Sequence, residues 1–188
     1  MNTRVLIWIT LGLLMIATRF GHMGGPWSLP DASWAVFFLG GFYLARQWRW
    51  ALPSLVVLAI AIDLIAINHF GVSNYCLTVA YGFNVPAYGA LWLGGRWLRR
   101  HATHGAADLL RLGASVLCAE SVCYVLTDGS FYWLGGRVGA PTLSGWMVNF
   151  GDWYLPYLVN TAIYVGVGAV LHLALARRAQ IDPLADDV

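Results

Sequence analysis

Residues 52–70 read LPSLVVLAIAIDLIAINHF, and this stretch decides the fold. It is apolar over almost the full length of about 20 residues that an α-helix needs to cross a bilayer. Its one acidic residue, Asp63, lies less than two turns from the C-terminal end. The stretch therefore predicts a transmembrane helix, and the rest of the chain is interpreted around it.

The composition of the whole chain agrees with a membrane protein. Of its 188 residues, 59% are hydrophobic and 11% are charged, whereas charged residues make up about 25% of soluble domains. All 11 basic residues are arginines, and the formal net charge is only +2. A protein with so small a net positive charge lacks the basic surface that nucleic-acid binding needs. We therefore expect the lipid bilayer, and no nucleic acid, as a partner.

Further apolar stretches bring the predicted number of spans to six. They predict an all-α bundle of six transmembrane helices over residues 1–178 and a polar cytoplasmic tail over residues 179–188. The predicted helices cover residues 4–20, 32–45, 52–70, 83–98, 108–127 and 153–177. With six spans, only Arg19 and Arg137 fall on one side of the membrane, and the other arginines fall opposite. Because positive residues favour the cytoplasmic side, we predict that both termini are cytoplasmic.

The outer segments differ in chemistry from the basic inner loops. Residues 21–31, 71–82 and 128–152 are rich in Gly, Pro, Asn, Ser and aromatic residues. Binding residues are disproportionately found on such loops, so we expect function on the outer face. The longest segment, residues 128–152, is predicted to form a lid that places Trp146 against a ligand.

Cys76 is the one cysteine of three that falls in an outer segment. Cys118 and Cys123 lie inside a predicted helix and are interpreted as packing residues. The chain lacks the Cys-x-x-Cys pair of a thiol oxidoreductase, and its five histidines are scattered. Two interpretations of Cys76 stay open, a small apolar filler and a soft metal ligand or nucleophile.

Two acidic residues lie inside predicted spans. Each needs a partner or a proton, because a carboxylate at the bilayer centre costs about 2.5–3.5 kcal/mol on insertion scales. We expect Asp63, near the outer end, to serve a polar cavity beneath the Cys76 loop. Glu120 lies nearer mid-membrane. A structural hydrogen-bond network explains its presence there at least as well as a functional site does. The polar residues on its helical face are Cys123, Tyr124 and Thr127.

The sixth predicted helix places aromatic and amide side chains along one face of its outer half. They are Trp153, Tyr157, Asn160, Thr161 and Tyr164. Such stripes are often core, but one that faces a lid suits a large, planar, amide-rich ligand better than a small ion. Tyr157 and Asn160 are therefore candidate binding residues.

Four stretches, read in order, resemble the BtuM family of small bacterial cobalamin transporters. They are residues 18–24 (TRFGHMG), 29–43 (LPDASWAVFFLGGFY), 62–63 (ID) and 71–81 (GVSNYCLTVAY). The resemblance implies a bundle like the substrate-binding S-components of energy-coupling factor transporters. It also implies an outward pocket for cobalamin or cobinamide and uptake across the bacterial inner membrane.

The loop cysteine is the most specific mark of that family, and Cys76 is the matching residue. The resemblance implies that Cys76 is an axial ligand to the cobalt of cobalamin whose own nucleotide base is detached. Because a thiolate donates electrons to cobalt, loss of an upper ligand such as cyanide is a secondary expectation. Asp63 and Tyr81 match family positions near the ligand. The other candidates in the matching segments are His22, Asn74 and Tyr75.

Two functions of other classes stay open. One is a membrane enzyme that uses Cys76 as nucleophile with His22 or His69 as base, and the other is a helical subunit of a larger complex. A coupling module is doubtful, because the first helix has no strict match to the Ala-x-x-x-Ala patch by which S-components commonly dock. A solitary protein is the expectation, and the chain has no G-x-x-x-x-G-K-[ST] loop to power transport.

The arginine distribution generates the first prediction. Single cysteines placed at Thr103 and Ser130 in a cysteine-free background are expected to react with impermeant reagents from opposite sides of the membrane. Labelling of both positions from outside would contradict the topology.

Overall fold

The computed structural model describes residues 2–19, 29–103 and 107–181, with side chains up to residue 176. Every regular element in these ranges is helical. In chain order the helices are α1 (Thr3–Arg19), α2 (Ser33–Tyr43), α3 (Trp48–His69), α4 (Asn84–His101), α5 (Ala107–Tyr124), α6 (Ser130–Leu134) and α7 (Leu143–Ile181). Short 3-10 turns, Ala45–Gln47 and Val79–Phe83, precede α3 and α4, and a π-turn, Val125–Gly129, joins α5 to α6. The predicted all-α fold is confirmed.

Three helical segments are long and apolar enough to cross a membrane. They are Ala45–His69, Ala107–Leu134 and Leu143–Ala176. The chain is therefore a membrane protein. With 17 residues, α1 is shorter than these segments, and α2 has only 11, so the full set of six spans stays a prediction.

The short helix α2 lies at the centre of the bundle. It packs against α1, α3, α4 and α7, and most of its side chains are buried. Phe37 stacks on Tyr88 of α4 with ring centroids 4.1 Å apart. Because protein covers this helix on several sides, burial of its apolar side chains depends on neighbouring helices rather than on its length.

The crossing of α2 and α4 depends on two glycines. A Cβ atom at Gly41 would collide with the carbonyl oxygen of Trp92, and one at Gly95 would collide with the carbonyl oxygen of Phe38. Each helix thus places a glycine against the backbone of the other. Small residues permit such close approach of membrane helices.

Contacts at the helix ends show that α1 to α4 run in alternate directions. At one end of the bundle, Arg19 at the end of α1 contacts Asp31 just before α2 and Asp63 near the end of α3. At the other end, Arg99 of α4 donates to the carbonyl oxygen of Phe42 in the last turn of α2, at 2.9 Å. This order is the one that alternating spans require.

The prediction of a long outer loop at residues 128–152 is wrong. The π-turn continues α5 into α6, and α7 already begins at Leu143, so the connection is confined to residues 135–142. Gly145 lies within α7, where the helix approaches the hydroxyl at the end of the Tyr132 side chain. At its other end α7 continues to Ile181, inside the predicted tail, and residues 182–188 lie outside the described residues.

The same correction moves the outer labelling position. Ser130 is only 7% exposed, whereas Gly139 lies exposed in the turn of residues 135–142. Thr103 is exposed at the opposite end. Gly139 is therefore the better outer position for the accessibility experiment.

The glycine crossing predicts a large and local effect of one methyl group. We expect Gly95→Ala to lower the free energy of unfolding by about 1–3 kcal/mol, because the added Cβ atom overpacks the contact with α2. Denaturant unfolding in detergent measures this change. Gly89→Ala on the same helix is the matched control, since its Cβ atom would meet nothing within 4 Å. Equal stability of the two variants would contradict the tight crossing.

Candidate functional site

Cys76 lies at the tip of a tight turn between α3 and α4. The amide of Leu77 donates to the carbonyl of Asn74 at 2.9 Å, so Tyr75 and Cys76 are the two central residues of a β-turn. The chain leaves α3 at Gly71, whose φ of 66° is accessible to glycine without strain. The Cys76 side chain is exposed, and it is therefore accessible to a ligand.

Arg137, from the turn between α6 and α7, holds this loop. Its Nε donates to the backbone carbonyl of Tyr75 at 3.2 Å. Its guanidinium carbon lies 4.9 Å from the centroid of the Tyr75 ring, which is a cation–π contact. In the sequence, Arg137 served only as a marker of topology. No spacing or motif links it to a tyrosine 62 positions earlier, so sequence reasoning missed it.

Asp63 belongs to an ion network that joins several helices. Arg19 donates through Nε and a terminal nitrogen to the two carboxylate oxygens of Asp63, each at 2.6 Å. This is the bidentate geometry that makes arginine–carboxylate pairs strong. The other terminal nitrogen of Arg19 donates to Asp31 at 3.3 Å and to the Ser33 hydroxyl at 2.8 Å. The Tyr81 hydroxyl donates to Asp63 at 2.7 Å. Asp63 thus joins α3 to α1 and to the turn before α4, and Arg19 extends the network to the start of α2.

The neighbouring groups control the ionisation of Cys76. Loss of hydration raises the pKa of the thiol most, the charge of Asp63 raises it further, and Arg137 lowers it. The net pKa is raised, so the neutral thiol predominates at neutral pH. Burial and the hydrogen bond to Asp63 likewise raise the pKa of Tyr81. Tyr81 therefore stays protonated and remains a donor.

The candidate residues of α7 make contacts within the bundle. Tyr157 stacks on Trp34 of α2 with ring centroids 4.9 Å apart. Asn160 donates its side-chain amide to the backbone carbonyl of Asp31 at 2.7 Å. Tyr157 also lies within electrostatic range of Cys76. These two side chains therefore join α7 to α2 and to the residues just before it.

Trp146 lies at a separate place, beside the π-turn. Its indole nitrogen donates to Asp128 at 3.2 Å. It helps to line a cavity of about 290 Å³, together with Phe83 and Trp133, and this volume is at the lower limit of ligand pockets. Cys76 is not among the lining residues. The Cys76 site is thus an open surface distinct from this cavity.

Within the described ranges, no three His, Cys, Asp or Glu side chains converge on a position that could hold a metal ion. His69 is exposed at the end of α3, and His22 lies outside the described residues. A metal bound by the Cys76 thiol would take its other ligands from outside the described part of the chain.

Comparison of the chain with protein-family models and with curated protein sequences finds no match.

The contact between Arg137 and the loop predicts the reactivity of the thiol. We expect Arg137→Gln to slow the alkylation of Cys76 severalfold at neutral pH, because loss of the positive charge raises the pKa of the thiol and reduces the thiolate fraction. Arg137→Lys keeps the charge and is the matched control. The measurement is the pH dependence of alkylation in a Cys118→Ser background, since Cys118 is also exposed. Identical profiles for all three proteins would contradict this role of Arg137.

Proposed function

We propose that the chain binds a corrinoid at its outer face and takes it up across the bacterial inner membrane, with Cys76 as the axial ligand to cobalt. The observation that carries the proposal is the exposed thiol at the tip of the β-turn. Soft thiolates are suitable ligands for a polarisable transition metal. A corrin ring already supplies the in-plane nitrogen ligands, so a single protein ligand is sufficient.

Polar groups around Cys76 support a ligand with many amide side chains. Arg137 uses only its Nε for hydrogen bonding within the described residues, so its terminal nitrogens are available as donors. The side chain of Asn74 is exposed in the same turn. Tyr81 lies further along the loop, and its hydroxyl is held by Asp63. The donors and acceptors of these side chains suit the periphery of a corrin ring.

The proposal includes six spans with both termini in the cytoplasm and a protein that works without a coupling module. The alternating helix directions support this arrangement, because they bring Arg19 and Asp63 to the same end of the bundle as the Cys76 loop. Arg99 lies at the opposite, basic end.

Exchange of an upper cobalt ligand is part of the proposal as a secondary activity. The Cys76 thiol gives up its proton to water and donates a sulfur electron pair to cobalt, and cyanide leaves with the electron pair of its own bond. The oxidation state of the metal does not change. A membrane enzyme with Cys76 as nucleophile has less support, since the raised pKa of the thiol leaves little nucleophilic thiolate at neutral pH.

Substitution of the thiol tests the proposal. Purified protein incubated with cobinamide or cyanocobalamin is expected to become coloured, and Cys76→Ser is expected to lose the spectral features of thiolate-ligated cobalt and to bind more weakly. Because cobalt displaces the thiol proton, the affinity of the unmodified protein should rise as the pH approaches the raised pKa of Cys76. The affinity of Cys76→Ser should lack this dependence.

Cys118→Ser is the matched control, because Cys118 is exposed on α5 and takes no part in the proposed site. It should keep the spectrum and affinity of the unmodified protein. A colourless unmodified protein would reject corrinoid binding. A Cys76→Ser protein with unchanged spectrum and affinity would reject axial ligation by this thiol.

A further inference from the structure

Glu120 of α5 carries a buried carboxyl group. Its relative exposure is 0%, and among the described residues neither carboxylate oxygen makes a hydrogen bond. An ionised carboxylate deprived of both water and partners is strongly unfavourable, whereas the neutral acid is tolerated far better. The geometry therefore favours a protonated side chain.

The groups around Glu120 offer no compensating charge. On its own helix, the buried thiol of Cys123 follows within one turn. The polar group that interacts with the carboxyl from α7 is the side chain of Thr161. This side chain is 2% exposed. From α4, tight packing brings the backbone of Gly94 against Ala119. No arginine in the described part of the chain acts on Glu120.

Little of the surface of α7 is buried in the bundle. Within its apolar span only 11% of the residues are buried, against 33% for the segment that contains α5. Near Glu120, α5 and α7 are joined by a hydrogen bond between the hydroxyls of Ser121 and Tyr154, at 2.7 Å. The ring of Tyr124, one turn further along α5, also packs against Phe150, Tyr154 and Tyr157 of α7. A charge that appears at Glu120 therefore acts on an interface of aromatic and hydroxyl contacts that contains no cation among the described residues.

We propose that Glu120 is a proton-binding site that controls the packing of α7 against α5. The neutral acid is accommodated in the closed interface beside Thr161. When the proton passes to water, the carboxylate requires hydration, and α7 separates from α5 to admit it. Because α7 also carries Tyr157 and Asn160, its movement acts on their contacts with Trp34 and Asp31. The inference does not depend on the identity of the ligand.

The sequence provides a direct test, because Glu120 is the only glutamate among the nine acidic residues. Carboxyl-¹³C glutamate therefore reports on this side chain alone in the unmutated protein. Isotope-edited infrared spectra in lipid nanodiscs are expected to show a protonated acid at neutral pH and its conversion to carboxylate at alkaline pH. A carboxylate already present at neutral pH would overturn the proposal.

Spin labels test the motion. Labels at the exposed positions Leu117 on α5 and Val159 on α7, with Cys76 and Cys118 changed to Ser, should move apart as the pH rises. Glu120→Gln should keep the short distance at every pH, and Asp152→Asn, an exposed acid of α7, should keep the pH response. A distance that does not change while Glu120 ionises, or an equal response of Glu120→Gln, would overturn the coupling.

Neither measurement contains a corrinoid. Failure of the proton-site proposal would therefore leave the Cys76 proposal intact, and a protein that binds no corrinoid would leave the Glu120 experiments valid.

Discussion

The pairing of Arg19 with Asp63 is the contact on which the outer half of the structure depends. The side chain of Arg19 is 11% exposed and that of Asp63 is 22% exposed, so both charges are largely removed from water. Removal of one partner from a fully buried pair costs about 3–5 kcal/mol, and the remaining exposure of Asp63 reduces that figure here. Because Arg19 also reaches Asp31 and Ser33, one guanidinium fixes the relative positions of α1, α2 and α3.

This network also positions the Cys76 loop. The loop leaves α3 at Gly71, and it is tied back to the same helix where the Tyr81 hydroxyl bonds to Asp63. Arg137 holds the loop from a third direction, through the carbonyl and ring of Tyr75. A short segment fixed at both ends and at its tip presents its thiol in a defined place. This geometry suits a metal ligand better than a small packing residue.

Hydropathy was sufficient to locate several helices, because each long apolar run has one structural solution in a bilayer. The observed α1 and α3 agree closely with the predicted residues 4–20 and 52–70. The start of α7 could not be found in this way. Its first turns contain glycines and polar residues, and contacts made only in the folded bundle, such as the one between Trp146 and Asp128, favour a helix there. Local composition does not reveal such contacts.

The residues of the candidate site, like the helices, could be identified only in part from the sequence. The rule that an acid inside a span needs a partner or a proton identified Asp63 and Glu120, and the outer loop identified Cys76. The partners were not predictable, because Arg19 is 44 positions from Asp63 in the chain and periodicity carries no information at that distance. Arg137 is still further from Tyr75. For this reason its control of the loop became visible only in the fold.

The two intramembrane acids satisfy the same physical requirement in opposite ways. Asp63 accepts from the guanidinium of Arg19 and from the Tyr81 hydroxyl, so its position is fixed. Among the described residues neither carboxylate oxygen of Glu120 makes a hydrogen bond, and such surroundings favour the neutral acid. The bundle therefore combines a part fixed by ion pairs, formed by α1 to α3 around Arg19, with α7, little of whose surface is buried. In such an arrangement the ion network defines the position of the Cys76 loop, and the proton site proposed at Glu120 acts on the packing of α7.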